Sequence, residues 1–458
     1  MFVKFLPPSI QKYFLMGKRQ RHHELQLTLW RAPLLYIIVA FFLVALTLFL
    51  DVGLELAQYT TNYFEAEFET TRLLISALIG GILTLSAFTL NSLLVVLTTF
   101  SGQFSPRLLQ NFVKDKQTQH VLGIFNGSFV YVLIMFLFIS SHPVEYYVAV
   151  PFATVTVAFI TALTFIYFIN HATAWMQVHN ITDTMKSVSR EIITGSLKQD
   201  LEAFRTEEPG DLMEEYRKRI KIVKAPVSGY IQLINFYKII EEAKNDNILL
   251  KLESRIGSFT LEDNILFSYW GPGADNVDAD KYVRMVQMGH KETEIQDLRF
   301  ALNKLGEIAI KAIGSNDPKT ASNTINQLTD LLLIIDKNIT FTPYLADEDR
   351  QVRLIIGIDN FEFHLYQSYG LIRHYAQKNY PIITVIIGSL GRLAQSVNPV
   401  HYEVIWQFAR NTIDSIYTEF IFDLDRDLLL SRLRDLAQTT GHTEEYAQIE
   451  NHLRNSKI

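Results

Sequence analysis

Four long apolar runs dominate the N-terminal part of the chain. They are almost free of charged residues and lie at 34–50, 73–100, 121–139 and 148–169. An α-helix rises about 1.5 Å per residue, so roughly 20 apolar residues cross the hydrocarbon core of a bilayer. The pattern therefore predicts an N-terminal segment, 1–31, and a transmembrane domain, 32–175, with four helices at about 33–50, 73–100, 121–139 and 148–169.

Charged residues are unevenly distributed around these runs. Basic residues precede the first run and lie between the second and third, whereas the segment between the first and second is acidic: Asp51, Glu55, Glu65, Glu67 and Glu69. Because positively charged loops stay on the cytoplasmic side of a membrane, the pattern predicts that both termini are cytoplasmic.

The pattern of polar and apolar residues changes after the fourth apolar run. Residues 176–222 are polar and helix-like, which predicts a helical connector. Residues 223–272 alternate apolar and polar positions between glycines, which is typical of short strands, and their layout predicts a small β-barrel-like domain. From 273 to 458 the spacing is mostly helical, and a short strand is expected at 351–358. The predicted fold is a polytopic α-helical membrane protein whose cytoplasmic region is a small β domain followed by a mostly α-helical domain.

Composition removes several classes of function. The net charge of −6 argues against a nucleic-acid partner, and the absence of cysteine excludes thiol catalysis and Cys-ligated metal centres. The chain has no metalloprotease, phosphate-loop, nucleophile-elbow or dinucleotide motif. We therefore predict no enzyme, no cofactor and no metal site. His171 and His179, eight residues apart, are interpreted as interfacial histidines, with a metal pair as the alternative.

The second apolar run carries a stripe of small and polar residues. Their spacings of 4, 4, 3, 4 and 7 residues keep them on one helical face; they are Ser76, Gly80, Thr84, Ala87, Asn91 and Thr98. One interpretation is close helix packing, since small residues let helices approach. The other is a pore lining, in which several copies of this helix surround water. Either interpretation supplies the partner that a polar Asn91 requires within a membrane.

Residues in the second half of the chain are candidates for an interface or a bound ligand. Gln296, Asp297 and Arg299 are predicted to lie one turn into a helix and to be solvated or at an interface. Asn316 and Asp317 precede Pro318, so one of them is expected to cap the next helix, with a ligand or subunit contact as the alternative. Arg373 is interpreted as a surface or interface residue.

A Gln-Phe-Ser-Pro-Arg segment follows the second run and forms an elbow between membrane and cytoplasm. Ser101-Gly102 is expected to end or kink the preceding helix, and Ser105 to cap a new one with Pro106 at its first position. Arg107 lies where a cation opposes the helix dipole, which predicts an anionic partner, with simple anchoring as the alternative. The elbow residues are Gln103, Phe104, Ser105, Pro106 and Arg107.

These motifs resemble a known family. The chain has QFSPR at 103–107, GSFVY at 127–131, SGYIQLI at 228–234, the block HKETEIQDLRFALNKLGEIAIKAIGSNDPKTA at 290–321 and GLIRHYA at 370–376. Together they resemble the predicted bacterial membrane proteins grouped as domain of unknown function 2254, over nearly the full chain. The resemblance implies a multi-pass protein of the bacterial inner membrane.

The favoured function is a homo-oligomeric channel or pore, with the second helix lining the path and coupled to the cytoplasmic domain. Its partners would be the lipid bilayer, further copies of the chain and ions. The alternative is a membrane-anchored sensor or scaffold, whose cytoplasmic domain binds a partner or small ligand without conduction.

Overall fold

The computed structural model describes residues 31–60, 65–103, 115–141, 144–175, 178–197, 201–292, 296–377, 379–414, 416 and 422–455. These residues form two compact units, 1–177 (unit 1) and 178–458 (unit 2).

Unit 1 contains four helices: α1 (Arg31–Leu48), α2 (Phe68–Gln103), α3 (Lys116–Ser141) and α4 (Ala149–Trp175). Each is long and apolar enough to cross a membrane, which confirms the four predicted apolar helices. Helix α2 continues through Ser101 and Gly102 to Gln103, and the residues that follow lie outside the described ones. A glycine inside a helix costs only about 1 kcal/mol, and neither residue breaks the hydrogen-bond ladder as proline does.

Helix α3 is the most buried span of unit 1, and it packs against the other three helices. Its glycines allow the close approach of α1. A Cβ at Gly127 would lie 3.0 Å from the carbonyl oxygen of Tyr36, and one at Gly123 would overlap the Tyr36 ring. Small residues at such crossings let helix backbones come together, so van der Waals contact stabilises the pair.

A buried carboxylate joins the end of α1 to the beginning of α4. A π-helical segment, Phe49–Gly53, extends α1 and carries Asp51, which is 2 % exposed. Its oxygens accept hydrogen bonds from the backbone N–H groups of Val148 (3.2 Å), Ala149 (2.8 Å) and Val150 (2.8 Å). Asp51 therefore satisfies free donors at the N-terminus of another helix, where negative charge is also favoured by the helix dipole. Two short strands, β1 (Ala66–Glu67) and β2 (Tyr146–Tyr147), pair antiparallel in this unit.

Unit 2 begins with α5 (Val178–Glu191) and contains two sheets. The first has the order β3-β7-β5-β10-β9 and the second the order β6-β4-β8. Their strands are β3 (Lys221–Lys224), β4 (Gly229–Ile234), β5 (Leu249–Leu252), β6 (Phe259–Thr260), β7 (Ile265–Trp270), β8 (Val286–Gly289), β9 (Tyr344–Ala346) and β10 (Val352–Ile355). Two helices, α6 (Phe236–Asn245) and α7 (Ala279–Val283), share a hydrophobic core with strands of both sheets. They contribute Ile239, Ala243 and Tyr282 to it.

The predicted β-barrel-like layout is wrong, because neither sheet closes on itself within the described residues. Strand β10 lies at the short strand expected at 351–358, within the otherwise helical region, and pairs in parallel with β5. The β9–β10 hairpin then extends the sheet beyond β5. A local alternation of apolar residues identifies a strand but not a partner that lies a hundred residues later in the chain, so the sequence suggested closure among nearby strands.

Helices fill most of the remainder of unit 2. They are α8 (Leu298–Gly314), α9 (Pro318–Asn338), α10 (Phe361–Ala376), α11 (Tyr380–Ala394), α12 (Tyr402–Asp414), α13 (Asp423–Thr440) and α14 (Thr443–Asn455). Helix α5 packs on α8 and α9, and its contacts with α9 include an ion pair of 2.6 Å between Lys186 and Asp330. The structure is thus mostly helical.

Candidate functional site

The predicted stripe of α2 lies on the outer surface of unit 1. Six positions are exposed, namely Ser76, Gly80, Thr84, Ala87, Asn91 and Thr98. The opposite face is buried against α3 and α4 through Ile75, Ile82, Leu93 and Val96. A Cβ added at Gly80 would meet no described atom within 4 Å. The contacts inside unit 1 therefore leave this face of α2 uncovered.

The polar groups of the stripe differ in how they are satisfied. The Thr84 hydroxyl donates to the Gly80 carbonyl (2.8 Å), and the Thr98 hydroxyl donates to Val95 (2.9 Å). Asn91 has no hydrogen-bond partner among the described residues. Asn126 of α3 is also exposed, but its amide donates to the Leu122 carbonyl of its own helix (2.7 Å). Of these two exposed asparagines, Asn91 is therefore the one whose side-chain amide needs a hydrogen-bond partner from outside unit 1.

The elbow cannot be placed on this surface. Phe104, Ser105, Pro106 and Arg107 lie outside the described residues, and of Gln103 only the backbone at the end of α2 is described. The proposed cap at Ser105 and the anionic partner of Arg107 stay predictions.

A second candidate site is a cavity of about 110 Å³ in unit 2. It lies where the parallel strands β5 and β10 end, since Arg255 follows β5 and Asp359 follows β10. The N-terminus of α8, with Gln296 and Asp297, and His364 of α10 also line it. The carboxyl ends of neighbouring parallel strands open at the same sheet edge, which is the usual place for ligand sites in open α/β sheets.

The predicted candidates at the beginning of α8 are placed differently from expectation. Gln296 and Asp297 precede the helix and are buried, at 4 % and 6 % exposure, so their predicted solvation is wrong. The Gln296 amide exchanges hydrogen bonds with the backbone of Ile234 (2.9 and 3.2 Å). Asp297 caps α8 by accepting from the backbone N–H of Arg299 (2.9 Å). They are buried because the end of strand β4 and the N-terminus of helix α8 lie against each other at this point.

Three arginines and two acidic partners form the polar side of the cavity. Asp359 accepts a hydrogen bond from the guanidinium group of Arg255 and forms an ion pair with Arg299, whose Nε lies 3.1 Å from Oδ2 of Asp359. Glu202 accepts from Nε of Arg205 at 3.1 Å. The Arg205 side chain is 6 % exposed, and its Nη1 is buried without a hydrogen-bond partner among the described residues.

Burial shifts the pKa values of two groups that line the cavity. It lowers the pKa of His364 to about 4, so this imidazole, 4 % exposed, is neutral at neutral pH. Its Nδ1 has no hydrogen-bond partner among the described residues. Burial also raises the pKa of Asp297 to about 6, against the opposing effects of Arg299 and of backbone N–H groups. The cavity thus contains buried polar atoms that its own described side chains do not satisfy.

A glycine makes room for the Asp297 cap. Gly257 has φ of +77°, which favours glycine, and a Cβ at this position would overlap the carboxylate of Asp297. The loop after β5 therefore approaches α8 only because position 257 has no side chain.

Sequence reasoning missed Arg205, Arg255, Asp359 and His364. They come from three separate segments of the chain, and only the fold brings them together. A signal was nevertheless present, because Arg255 and Asp359 are charged residues that lie shortly after the apolar strands β5 and β10.

The remaining candidates lie elsewhere in unit 2. Asp317 caps α9 by accepting from the Thr320 N–H (3.0 Å), as the cap interpretation predicted, and hydrogen bonds from Thr320 lower its pKa. Asn316 occupies the preceding turn with φ of +58°. The Arg373 guanidinium lies 4.6 Å from the ring centroid of Phe408 and does not line the cavity.

Only one member of the histidine pair at the end of the fourth span, His171, has a described side chain. His171 lies 2.8 Å from Asp115, whose carboxylate also caps α3 through the Thr118 N–H (2.8 Å). The side chain of His179 lies outside the described ones. Among the described residues no cluster of three metal-ligating side chains occurs.

Relatives of this chain are mycobacterial proteins. An uncharacterised protein of Mycobacterium bovis and one of Mycobacterium tuberculosis are each 25 % identical to it over 347 residues, covering 72 % of this chain. The chain spans 65 % of the length of these curated relatives. No solved structure matches the chain. The family model for predicted membrane proteins with domain of unknown function 2254 matches residues 26–392, most of the chain, and the protein therefore belongs to this family.

Proposed function

We propose that the protein is a homo-oligomeric membrane channel in which the α2 helices of several copies face a shared polar path. The observation that supports this is the exposed stripe of α2, with Asn91 lacking a partner among the described residues. An amide exposed to lipid is costly unless it is hydrogen-bonded or hydrated. A second copy of α2, or water enclosed by several copies, would supply what unit 1 does not.

Rotational symmetry among identical copies favours a shared central path over an irregular contact between two α2 helices. Membrane oligomers of identical chains mostly close by rotation, so the same face of each chain meets at the axis. Gly80 and Ala87 would let neighbouring helices approach, while Ser76, Thr84 and Asn91 would offer oxygens and amides to ions and water. The apolar side of α2 would stay packed on α3 and α4.

The test compares two asparagines that differ in their partners. Wild type, Asn91→Leu and the matched control Asn126→Leu are purified, cross-linked to determine their oligomeric state, and reconstituted in planar bilayers. We expect wild type and Asn126→Leu to conduct, and we expect the conductance of Asn91→Leu to be at least tenfold lower than that of wild type. Equal currents from the two asparagine variants, or no current from wild type under any voltage or salt condition, would overturn the channel.

A second candidate function is a membrane-anchored sensor. The observation that favours it is the cavity of unit 2, with the buried Nη1 of Arg205 and Nδ1 of His364 on its walls. Unbonded buried polar atoms are rare in folded proteins and point to a missing partner. A panel of small metabolites that raises the melting temperature of the full-length protein, without any conductance, would favour this function over the channel.

A further inference from the structure

We propose that the cavity of unit 2 binds a short-chain monocarboxylate, with its carboxylate on Arg205 and its hydrocarbon chain against the apolar wall. The inference rests on the sensor function proposed above and is independent of conduction, since it concerns equilibrium binding at a site in unit 2.

The first step concerns the free donor of Arg205. A guanidinium group has five N–H donors, and the contact with Glu202 uses Nε. The other oxygen of Glu202 accepts the backbone N–H of Thr340 (2.9 Å) and makes no hydrogen bond with Nη1. The buried Nη1 therefore requires an oxygen acceptor that is not among the described residues.

The second step concerns charge. Two carboxylates, Glu202 and Asp359, bond three guanidinium groups. Asp297 is committed to the backbone of α8 and lies 4.0 Å from Nε of Arg299, at the limit of an ion pair. An acceptor that carries its own negative charge forms stronger hydrogen bonds with guanidinium than a neutral carbonyl does. Asp297, Glu202 and Asp359 balance the three guanidinium groups, so the preference for an anionic ligand comes from the unbonded Nη1 of Arg205 and not from a net charge.

The third step concerns shape and size. The rest of the wall is apolar and includes Leu201, Ile234, Phe236, Leu252, Ile339 and Ile356. A cavity of about 150 Å³ holds benzene, so a cavity of about 110 Å³ fits roughly four to five nonhydrogen atoms, and its half-open side leaves room for about one or two more. A carboxylate with two or three carbon atoms attached has this size. Inorganic phosphate would fill the volume but would place charged oxygens against the apolar wall, at a cost in desolvation.

The experiment measures binding of sodium butyrate to the full-length protein in detergent by calorimetry and by thermal shift. So small a ligand is expected to bind with a dissociation constant in the millimolar range. Sodium chloride at equal ionic strength, butan-1-ol and inorganic phosphate are the comparison solutes. We expect butyrate and propionate to bind and to raise the melting temperature, and the other three to have no saturable effect.

Two variants test the two halves of the cavity. Arg205→Lys keeps the charge but removes the planar fork, and we expect at least tenfold weaker binding of butyrate. Ile339→Phe adds volume to the apolar wall, and we expect it to abolish binding while the protein still folds. Arg353→Lys is the matched control, because Arg353 is a buried arginine bonded to Asp347 (2.8 Å) and lies outside the cavity lining.

The outcomes separate this proposal from those above. Absence of saturable binding by butyrate and propionate, or binding that both cavity variants leave unchanged, would overturn it. Binding of phosphate in preference to butyrate would overturn the monocarboxylate but retain a sensor for another anion. A protein that binds butyrate as predicted and carries no current would retain this inference and remove the channel.

Discussion

The candidate sites of the two units differ in where their unpartnered polar groups lie. In unit 1 the buried Asp51 accepts three backbone hydrogen bonds, whereas Asn91 of α2 lies on the surface without a described partner. In unit 2 Arg205 and His364, which line the cavity, each carry a buried side-chain atom without a described partner. The difference indicates that the exposed face of α2 requires a partner from outside unit 1, and that the cavity of unit 2 requires something small within it.

The largest expected effect concerns Asp51, the satisfied member of this comparison. Asp51→Ala leaves three backbone N–H groups at the N-terminus of α4 without their acceptor, and we expect a loss of about 4 kcal/mol in the free energy of unfolding. Unfolding in mixed detergent micelles measures it. Asp51→Asn keeps one oxygen and should lose less, while the exposed Glu69→Ala should change stability by less than about 0.5 kcal/mol. A loss for Asp51→Ala no larger than for Glu69→Ala would contradict the capping role.

The second prediction concerns the pH dependence of unit 2, where Asp297 and His364 act in opposite directions. His364 has a lowered pKa, about 4, so its contribution makes the fold more stable as pH rises from about 4 to 6.5. Asp297 has a raised pKa, about 6, so its contribution makes the fold less stable as pH rises from about 4 to 6. In the wild type these two contributions largely cancel.

Single variants should reveal each contribution. Asp297→Asn should steepen the gain in stability between pH 4 and 6 by about 3 kcal/mol, and His364→Gln should change the slope by a similar amount in the other direction. Thermal unfolding of the full chain at several pH values measures the slopes. The neighbouring charges of Arg299, Glu292 and Asp359 are present in both variants, and His374→Gln, an exposed residue of α10, is the control. Parallel slopes in the two variants would contradict the assignment.

A smaller effect is expected at the loop that shapes the cavity. Gly257→Ala should lose about 2 kcal/mol, since it combines positive-φ strain with displacement of the Asp297 carboxylate. Gly441 provides the matched control, because its φ is +83° but a Cβ there would meet no described atom within 4 Å. Gly441→Ala should lose about 1 kcal/mol, from strain alone. Equal losses, measured by chemical unfolding, would show that the Gly257 loop has room that the structure does not indicate.

The smallest predicted effect concerns a cap that no candidate ligand needs. Asp317→Ala removes the acceptor for the Thr320 N–H and should lose about 1 kcal/mol, while Asp317→Asn should lose only a few tenths because asparagine caps as well. Neither change should alter ligand binding at the cavity. An effect of Asp317→Ala on butyrate affinity would link this turn to the cavity and revive the ligand interpretation of Asn316 and Asp317.

Local features of the sequence predicted local features of the structure. Run length alone identified the four apolar helices, and the Asp317-Pro318 pair identified a helix start, because both depend on neighbouring residues. Spacing likewise placed the six stripe residues on one face of α2. The exposure of that face depends on which side packs against α3 and α4, which periodicity does not reveal when both sides are apolar enough for a membrane.

The cavity of unit 2 could not be predicted in the same way. Its residues follow the ends of strands and helices that lie far apart in the chain, and their burial depends on the parallel pairing of β5 and β10. Gln296 and Asp297 appear solvated in a polar stretch of sequence, yet the backbone of Ile234 and the first turn of α8 bury them. Such burial is a property of the tertiary arrangement rather than of the residues themselves.

The insertion of β10 between β5 and β9 has a consequence for synthesis of the chain. The sheet that begins with β3 lacks its β10 and β9 strands until residue 355 has left the ribosome. Until then β5 is an edge strand, with unpaired backbone groups that attract other strands. Because long-range parallel pairing is slow to form, the nascent chain is most prone to misassociation between the completion of β7 and the arrival of β10. A chain that ends within this interval would expose that edge permanently, so we expect truncations before residue 352 to aggregate even though most of the first sheet is present.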